Sequence, residues 1–275
     1  MAEFINELSK MFSYSFMVRA LFIGGLIALC AAVLGVILVL KRYSNIGDGL
    51  SHVSFGAMAI GLAFNQAPLY FSIPIVIIAA YFILRVSENS KIKGDAAIGL
   101  ISSSAMAIGV VVNTFAGGSN IDLSSYMFGS ILAISKEDSV ICIVLGILIL
   151  VTFLYLYHYM FAITFDENFA KATGIRIEIY KTILAILTAL TIVIGMGIMG
   201  TLLISSLIVF PAVTSMRLFK GYKTVLISSI VVAMISYMIG MITSYMMEVP
   251  SGTSIVLCNL GFFIIATVLG RVLKR

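Results

Sequence analysis

The chain has 275 residues, 61% of them hydrophobic and 11% charged, with a mean hydropathy of +1.16 and a formal net charge of +5. A water-soluble domain of this length carries about 25% charged residues, so the composition excludes a soluble globular domain and leaves membrane lipid as the solvent. The positive charge does not indicate nucleic acid, because the basic residues fall in short clusters beside apolar runs.

The first 14 residues place Phe4, Ile5, Leu8, Met11 and Phe12 at helical spacing, which predicts an amphipathic helix lying on the outer membrane surface. No cleavable signal peptide is expected. The first apolar run begins near Ser15, is too long for the core of a signal sequence, and lacks a small-residue cleavage site after it. A spanning helix needs about 20 mainly apolar residues. Segments 15–40, 51–66, 68–85, 96–116, 139–161, 181–197, 198–217, 223–246 and 254–273 are the candidates. The second and third are divided by Asn65-Gln66-Ala67-Pro68, the sixth and seventh only by the glycines of 195–200. Residues 117–138 hold a polar stretch and then a short apolar piece, Tyr126 to Ile134. That piece is too short to cross, and is expected to be re-entrant or to lie against the bundle.

The fold class expected is therefore all-α, a polytopic transmembrane bundle of about nine segments in a single domain over 1–275. Eight is the alternative if segments six and seven do not both cross. With the N-terminus outside and the C-terminus cytoplasmic, fourteen of the 17 Lys and Arg residues face inward and only Lys10, Arg19 and Lys136 face outward, as the positive-inside rule requires. Pro74 and Pro211 are expected to kink their helices. Ser236, Gly240 and Ser244 recur every fourth residue, a spacing that lets backbones approach closely, either within the chain or at a subunit interface. Cys30, Cys142 and Cys258 lie inside apolar runs without CxxC spacing and read as small buried hydrophobes.

Ionisable groups inside a membrane are costly and point to function. The sharpest candidate is Gly47-Asp48-Gly49-Leu50-Ser51-His52. Asp48 and His52 are four residues apart, on one face if the segment is helical, and a carboxylate with an imidazole suits Mn, Zn or Fe(II). The other reading is a solvated loop over 41–50 with Asp48 as the N-cap of the following helix. His158, within Tyr155-Leu156-Tyr157-His158-Tyr159, reads as part of an interfacial aromatic belt. Asp95 reads as a carboxylate complementing a helix N-terminus. Thr164 followed by Glu167 fits a capping box, and Gly174 fits a residue just past a helix end. Together they predict a short cytoplasmic helix over 164–174, either docking a soluble partner or resting on the membrane. The chain has no G-x-x-x-x-G-K-[ST], no G-x-S-x-G and no H-E-x-x-H. It is not expected to be an enzyme, and uphill transport would draw its energy from a partner or a gradient.

Four stretches together resemble a known family: Gly47–Gly56, Gly94-Asp95-Ala96-Ala97-Ile98-Gly99-Leu100, Phe165-Asp166-Glu167-Asn168-Phe169-Ala170-Lys171-Ala172-Thr173-Gly174, and Leu202–Ser215 with its Ser205-Ser206 and Pro211-Ala212. They are similar to the permease subunit of bacterial manganese, zinc and iron ABC importers, the ABC-3 family, over nearly the whole chain. The resemblance implies a homodimer in the bacterial cytoplasmic membrane, working with a cytoplasmic ABC ATPase and an extracellular metal-binding protein. Asp48 and His52 would meet the transported Mn, Zn or Fe(II), with no permanently bound cofactor. The helix at 164–174 would be the coupling helix, with Thr164, Phe165, Asp166, Glu167, Phe169, Ala170 and Gly174 as its coupling residues. Gly49 stands where the family pattern has Ala and is expected to loosen the backbone beside Asp48. Gly94 stands where many members carry an acid, so Asp95 is given no ligand role. A gradient-driven cation carrier and a siderophore or cobalamin permease are the competing readings.

Overall fold

The structure is a computed structural model and describes residues 11–89, 94–117 and 136–273. Most of the expected N-terminal helix over 1–14 and the apolar piece Tyr126–Ile134 lie outside the described residues. Among the described residues these helices follow one another: α1 Ser15–Leu40, α2 Ser44–Ala63, α3 Pro68–Asn89, α4 Gly94–Phe115, α5 Lys136–Tyr155, α6 Tyr157–Phe165, α7 Glu167–Ala172, α8 Ile177–Met199, α9 Thr201–Leu218, α10 Tyr222–Met247 and α11 Ser251–Leu273. Eight of them, α1, α3, α4, α5 and α8 to α11, are long and apolar enough to cross a membrane. The chain is a multi-pass membrane protein built as an all-helical bundle.

At 20 residues α2 is long enough to cross as well, but it is more polar than the other eight. It starts seven residues before the expected 51, so Asp48 stands in its second turn and is not an N-cap. The polar start is tolerated because protein encloses the helix: thirteen of its residues, from Ile46 to Gly61, are buried.

α1 and α8 form the middle of the bundle. On one side α2, α3 and α4 pack on one another, and on the other α9, α10 and α11 do the same. With lipid outside there is little hydrophobic force to press helices together, so close fit and interhelical hydrogen bonds have to do it. Glycines supply the fit. A Cβ on Gly56 would lie 2.2 Å from the Ala105 carbonyl oxygen, and one on Gly109 would lie 2.5 Å from the Gly56 Cα, so α2 and α4 meet backbone to backbone. Gly35 meets the Ile208 carbonyl of α9 in the same way. The Tyr237 hydroxyl donates across the core to the Ala20 carbonyl at 2.7 Å, beside Gly24, where any side chain would collide with the tyrosine. Of the Ser236, Gly240 and Ser244 stripe, Gly240 packs inside the chain, directly against the Ile255 backbone of α11.

α8 and α9 are joined by Gly200 alone, with φ 86° and ψ 164°, a conformation essentially reserved for glycine. Pro74 and Pro211 both lie inside continuous helices. The expected span 139–161 divides at Leu156 into α5 and α6. Cys30 and Cys142 are buried and Cys258 is half-buried, all three as free thiols.

Gly56→Val should lower the melting temperature of the detergent-solubilised chain, because overpacking costs about 1–3 kcal/mol and the obstructing atoms here belong to backbone. Gly261→Ala, with nothing within 4 Å of the added carbon, should not lower it.

Candidate functional site

Asp48 and His52 point the same way from successive turns of α2, with His52 Nε2 3.6 Å from Asp48 Oδ2. The Asp48 side chain is 64% exposed and that of His52 30% exposed, so both are open on the side not covered by the chain itself. From α9, the Ser205 hydroxyl lies 3.3 Å from Asp48 Oδ1 and 2.9 Å from the Thr201 carbonyl oxygen. A turn earlier on α2, the Asn45 amide donates to Asp95 Oδ1 of α4 at 3.0 Å. Asp95 thus stands in the first turn of its helix, as expected, and also ties α4 to α2.

Gly47 abuts the Ile208 side chain and Gly35 the Ile208 carbonyl, so the first turns of α2 and the last turns of α1 pack on the same stretch of α9, and Asp48 is only four residues past the start of α2. Gly49 is a matter of packing, because a Cβ there would sit 2.3 Å from an Ile98 side-chain carbon. It brings α4 close and stands within regular helix, contrary to the looser backbone expected beside Asp48. Among the described residues no three His, Cys, Asp or Glu side chains converge. One chain therefore offers a carboxylate, an imidazole and a neighbouring hydroxyl, a donor set fit for a divalent transition metal but incomplete as a cage.

The second element is α7. Its N-cap is Asp166, extended at φ −149° and ψ 98°, whose Oδ1 accepts the Phe169 N–H at 2.9 Å. The expected capping box does not form. Thr164 belongs to the last turn of α6 and its hydroxyl bonds back to the Met160 carbonyl at 2.5 Å, the usual alternative for a threonine inside a helix. The helix is also shorter than the expected 164–174. Its end matches expectation: Gly174 has φ 84°, its N–H bonds to the Lys171 carbonyl, and the Ile175 N–H bonds to that of Ala170, a complete Schellman turn.

Glu167 is thereby released from capping and makes ion pairs with Lys41, just past α1, and with Lys181 of α8, the latter at 2.8 Å. Burial pushes its carboxyl up, but hydrogen bonds and charge from Lys181 and Lys41 outweigh this and hold it below the ordinary carboxylate range. Lys41 is 6% exposed and Lys181 14%. Ala170 is buried against the bundle, while Phe169 faces out at 64% exposure. Phe165 is also exposed and lies edge-on to Tyr222. His158 is exposed on α6, edge-on to Tyr157. Lys41, Lys181 and Ser205 were not singled out from the sequence as partners, since their contacts span 126, 14 and 157 positions and leave no local signature.

The fold is that of a multi-pass membrane protein, and comparison with known proteins makes it a permease, the transport subunit of an ABC transporter. Residues 13–270 match the model of the ABC 3 transport family, and the chain belongs to that family. It is 30% identical to the manganese import system permease protein ScaB of Streptococcus gordonii, over 99% of this chain and 98% of that one. It is also 30% identical to the high-affinity zinc uptake system membrane protein ZnuB of Haemophilus influenzae, over 90% of this chain and 95% of that one. Among solved structures it resembles PsaBC from Streptococcus pneumoniae in complex with Fab, with a TM-score of 0.84 and 31% identity over 96% of this chain and 94% of that chain.

Asp166→Ala should raise amide exchange over 167–172 roughly fivefold, the equivalent of a cap worth about 1 kcal/mol. Thr164→Ala should leave exchange there unchanged, which hydrogen-exchange mass spectrometry can read peptide by peptide.

Proposed function

We propose that this chain is the membrane permease of an ATP-driven importer of a divalent transition metal, Mn, Zn or Fe(II), in a bacterial cytoplasmic membrane. The observation that carries this is the Asp48–His52 pair, open to one side of a helix otherwise enclosed by protein. Its incompleteness suits a pathway: an ion that must leave again is better met by weak, partial coordination. In a homodimer, two copies of the pair would face a shared pathway. Manganese and zinc are the metals in the relatives' names, and the Asp–His donors accept Fe(II) equally well.

α7 is the element we assign to coupling. It is capped at both ends, anchored by Ala170, and presents Phe169 outward where an ATPase groove would receive it. An extracellular metal-binding protein would load the other face. The orientation follows: Lys41, Lys181 and Arg85, which pairs with Glu178 at 2.7 Å, gather at the α7 end. That end is cytoplasmic by the positive-inside rule, with the N-terminus outside and the C-terminus inside.

His52→Ala and Asp48→Ala should each reduce metal uptake at least as far as the roughly 10–100-fold that even an outer-shell change costs a metal site, while the permease–ATPase complex still assembles. Unimpaired uptake by either variant removes that residue from the pathway. Phe169→Asp should abolish co-purification of the ATPase, and an intact complex would place α7 on the membrane surface instead.

A further inference from the structure

α7 has six residues and crosses nothing, so a displacement imposed on it reaches the membrane helices only through its contacts. Ala170 is an apolar contact that can slide. Glu167 is a directional one, held by Lys41 at the end of α1 and Lys181 in the first turns of α8, both largely withdrawn from solvent. Because Asp166 already caps the helix, capping does not account for Glu167.

Lys41 also opens the turn into α2. Arg42 follows it at φ 61°, a left-handed conformation where glycine is the usual occupant. The Arg42 N–H bonds to the Val39 carbonyl and the Tyr43 N–H to that of Leu38 at 2.7 Å. α2 begins at Ser44, and Asp48 stands in its second turn. A strained residue thus separates the ion-paired lysine from the helix that carries Asp48 and His52, and such strain gathers at switch regions.

We propose that Glu167 is a positioning residue: with Lys41 and Lys181 it forms a latch that makes α7, the α1–α2 hinge and α8 move as one body, so that the Asp48–His52 face turns with α7. The latch stays closed through the cycle, and the short turn through Arg42 carries the motion of Lys41 into α2. This inference rests on the reading of α7 as the ATPase contact and of Asp48 and His52 as the metal-handling pair.

The test uses the permease–ATPase complex in proteoliposomes with the metal-binding protein, and reads Mn(II) or Zn(II) taken up per ATP hydrolysed. Glu167→Gln and Lys41→Met should assemble and hydrolyse ATP, yet lose at least about fivefold in that ratio, the lower end of ordinary coupling between sites. Lys41→Arg should keep it. A Lys41→Cys/Glu167→Cys pair should be uncoupled with free thiols and recoupled when a short bifunctional reagent bridges them. A ratio that is unchanged in the first two variants, or a bridge that leaves it low, overturns the latch. So does loss of assembly in Glu167→Gln with Lys41→Met fully coupled, which would assign Glu167 to docking. Failure of the underlying reading looks different: Phe169→Asp would keep the ATPase, or Asp48→Ala would keep uptake, with the latch intact.

Discussion

α2 is the most polar of the long helices, and the other helices are arranged so that they enclose most of it. α2 carries Ser44, Asn45, Asp48, Ser51, His52 and Ser54. It is wrapped by α3 and α4 on one side and by α8 and α9 on the other, until only the Asn45–Asp48–His52 face stays open. Enclosure that tight is possible because Gly49, Gly56 and Gly109 remove the side chains that would hold α4 away. In lipid, where apolar surface gains little by leaving solvent, such backbone contact is a large part of what holds helices together. The same glycines therefore serve both stability and the one-sided exposure of the Asp48–His52 face.

α7 solves a different problem. A helix of six residues is too short to be stable alone. α7 persists because Asp166 satisfies its first turn, a Schellman turn at Gly174 satisfies its last, Ala170 is buried, and Glu167 is pinned between two lysines from separate helices. Replacing one partner of such a cluster leaves a poorly hydrated charge behind, which costs more than the pair itself contributes. The outward Phe169 is then a fixed feature and not a floppy one. α7 and α2 are linked through Lys41, which touches Glu167 and precedes the turn into α2.

Much of this was legible in the chain. Apolar runs of about 20 residues define spans because the bilayer sets their length, and eight of the described helices follow them within a few residues at most ends. Asp48 and His52 stood out because charge is rare in such runs, and their four-residue spacing became a shared face once the segment proved helical. Gly174 was read correctly because a left-handed helix end favours glycine. The start of α2 was missed, since Ser44–Gly47 look like loop until protein encloses them. The cap was misplaced by two residues: Thr164 and Asp166 are both acceptable caps locally, and the continuation of α6 through Phe165 decided between them.

What the sequence determined by itself was the solvent, the helical class, a break somewhere within the glycines of 195–200 and the rare ionisable side chains beside the apolar runs, because each depends on composition or on neighbours within a turn or two. What only the tertiary structure decided was who meets whom: Ser205 beside Asp48, Ile98 against Gly49, and Lys41 and Lys181 on Glu167. Those meetings depend on how whole helices cross. A crossing is fixed by where glycines let two backbones approach, which no pattern read within a single helix contains.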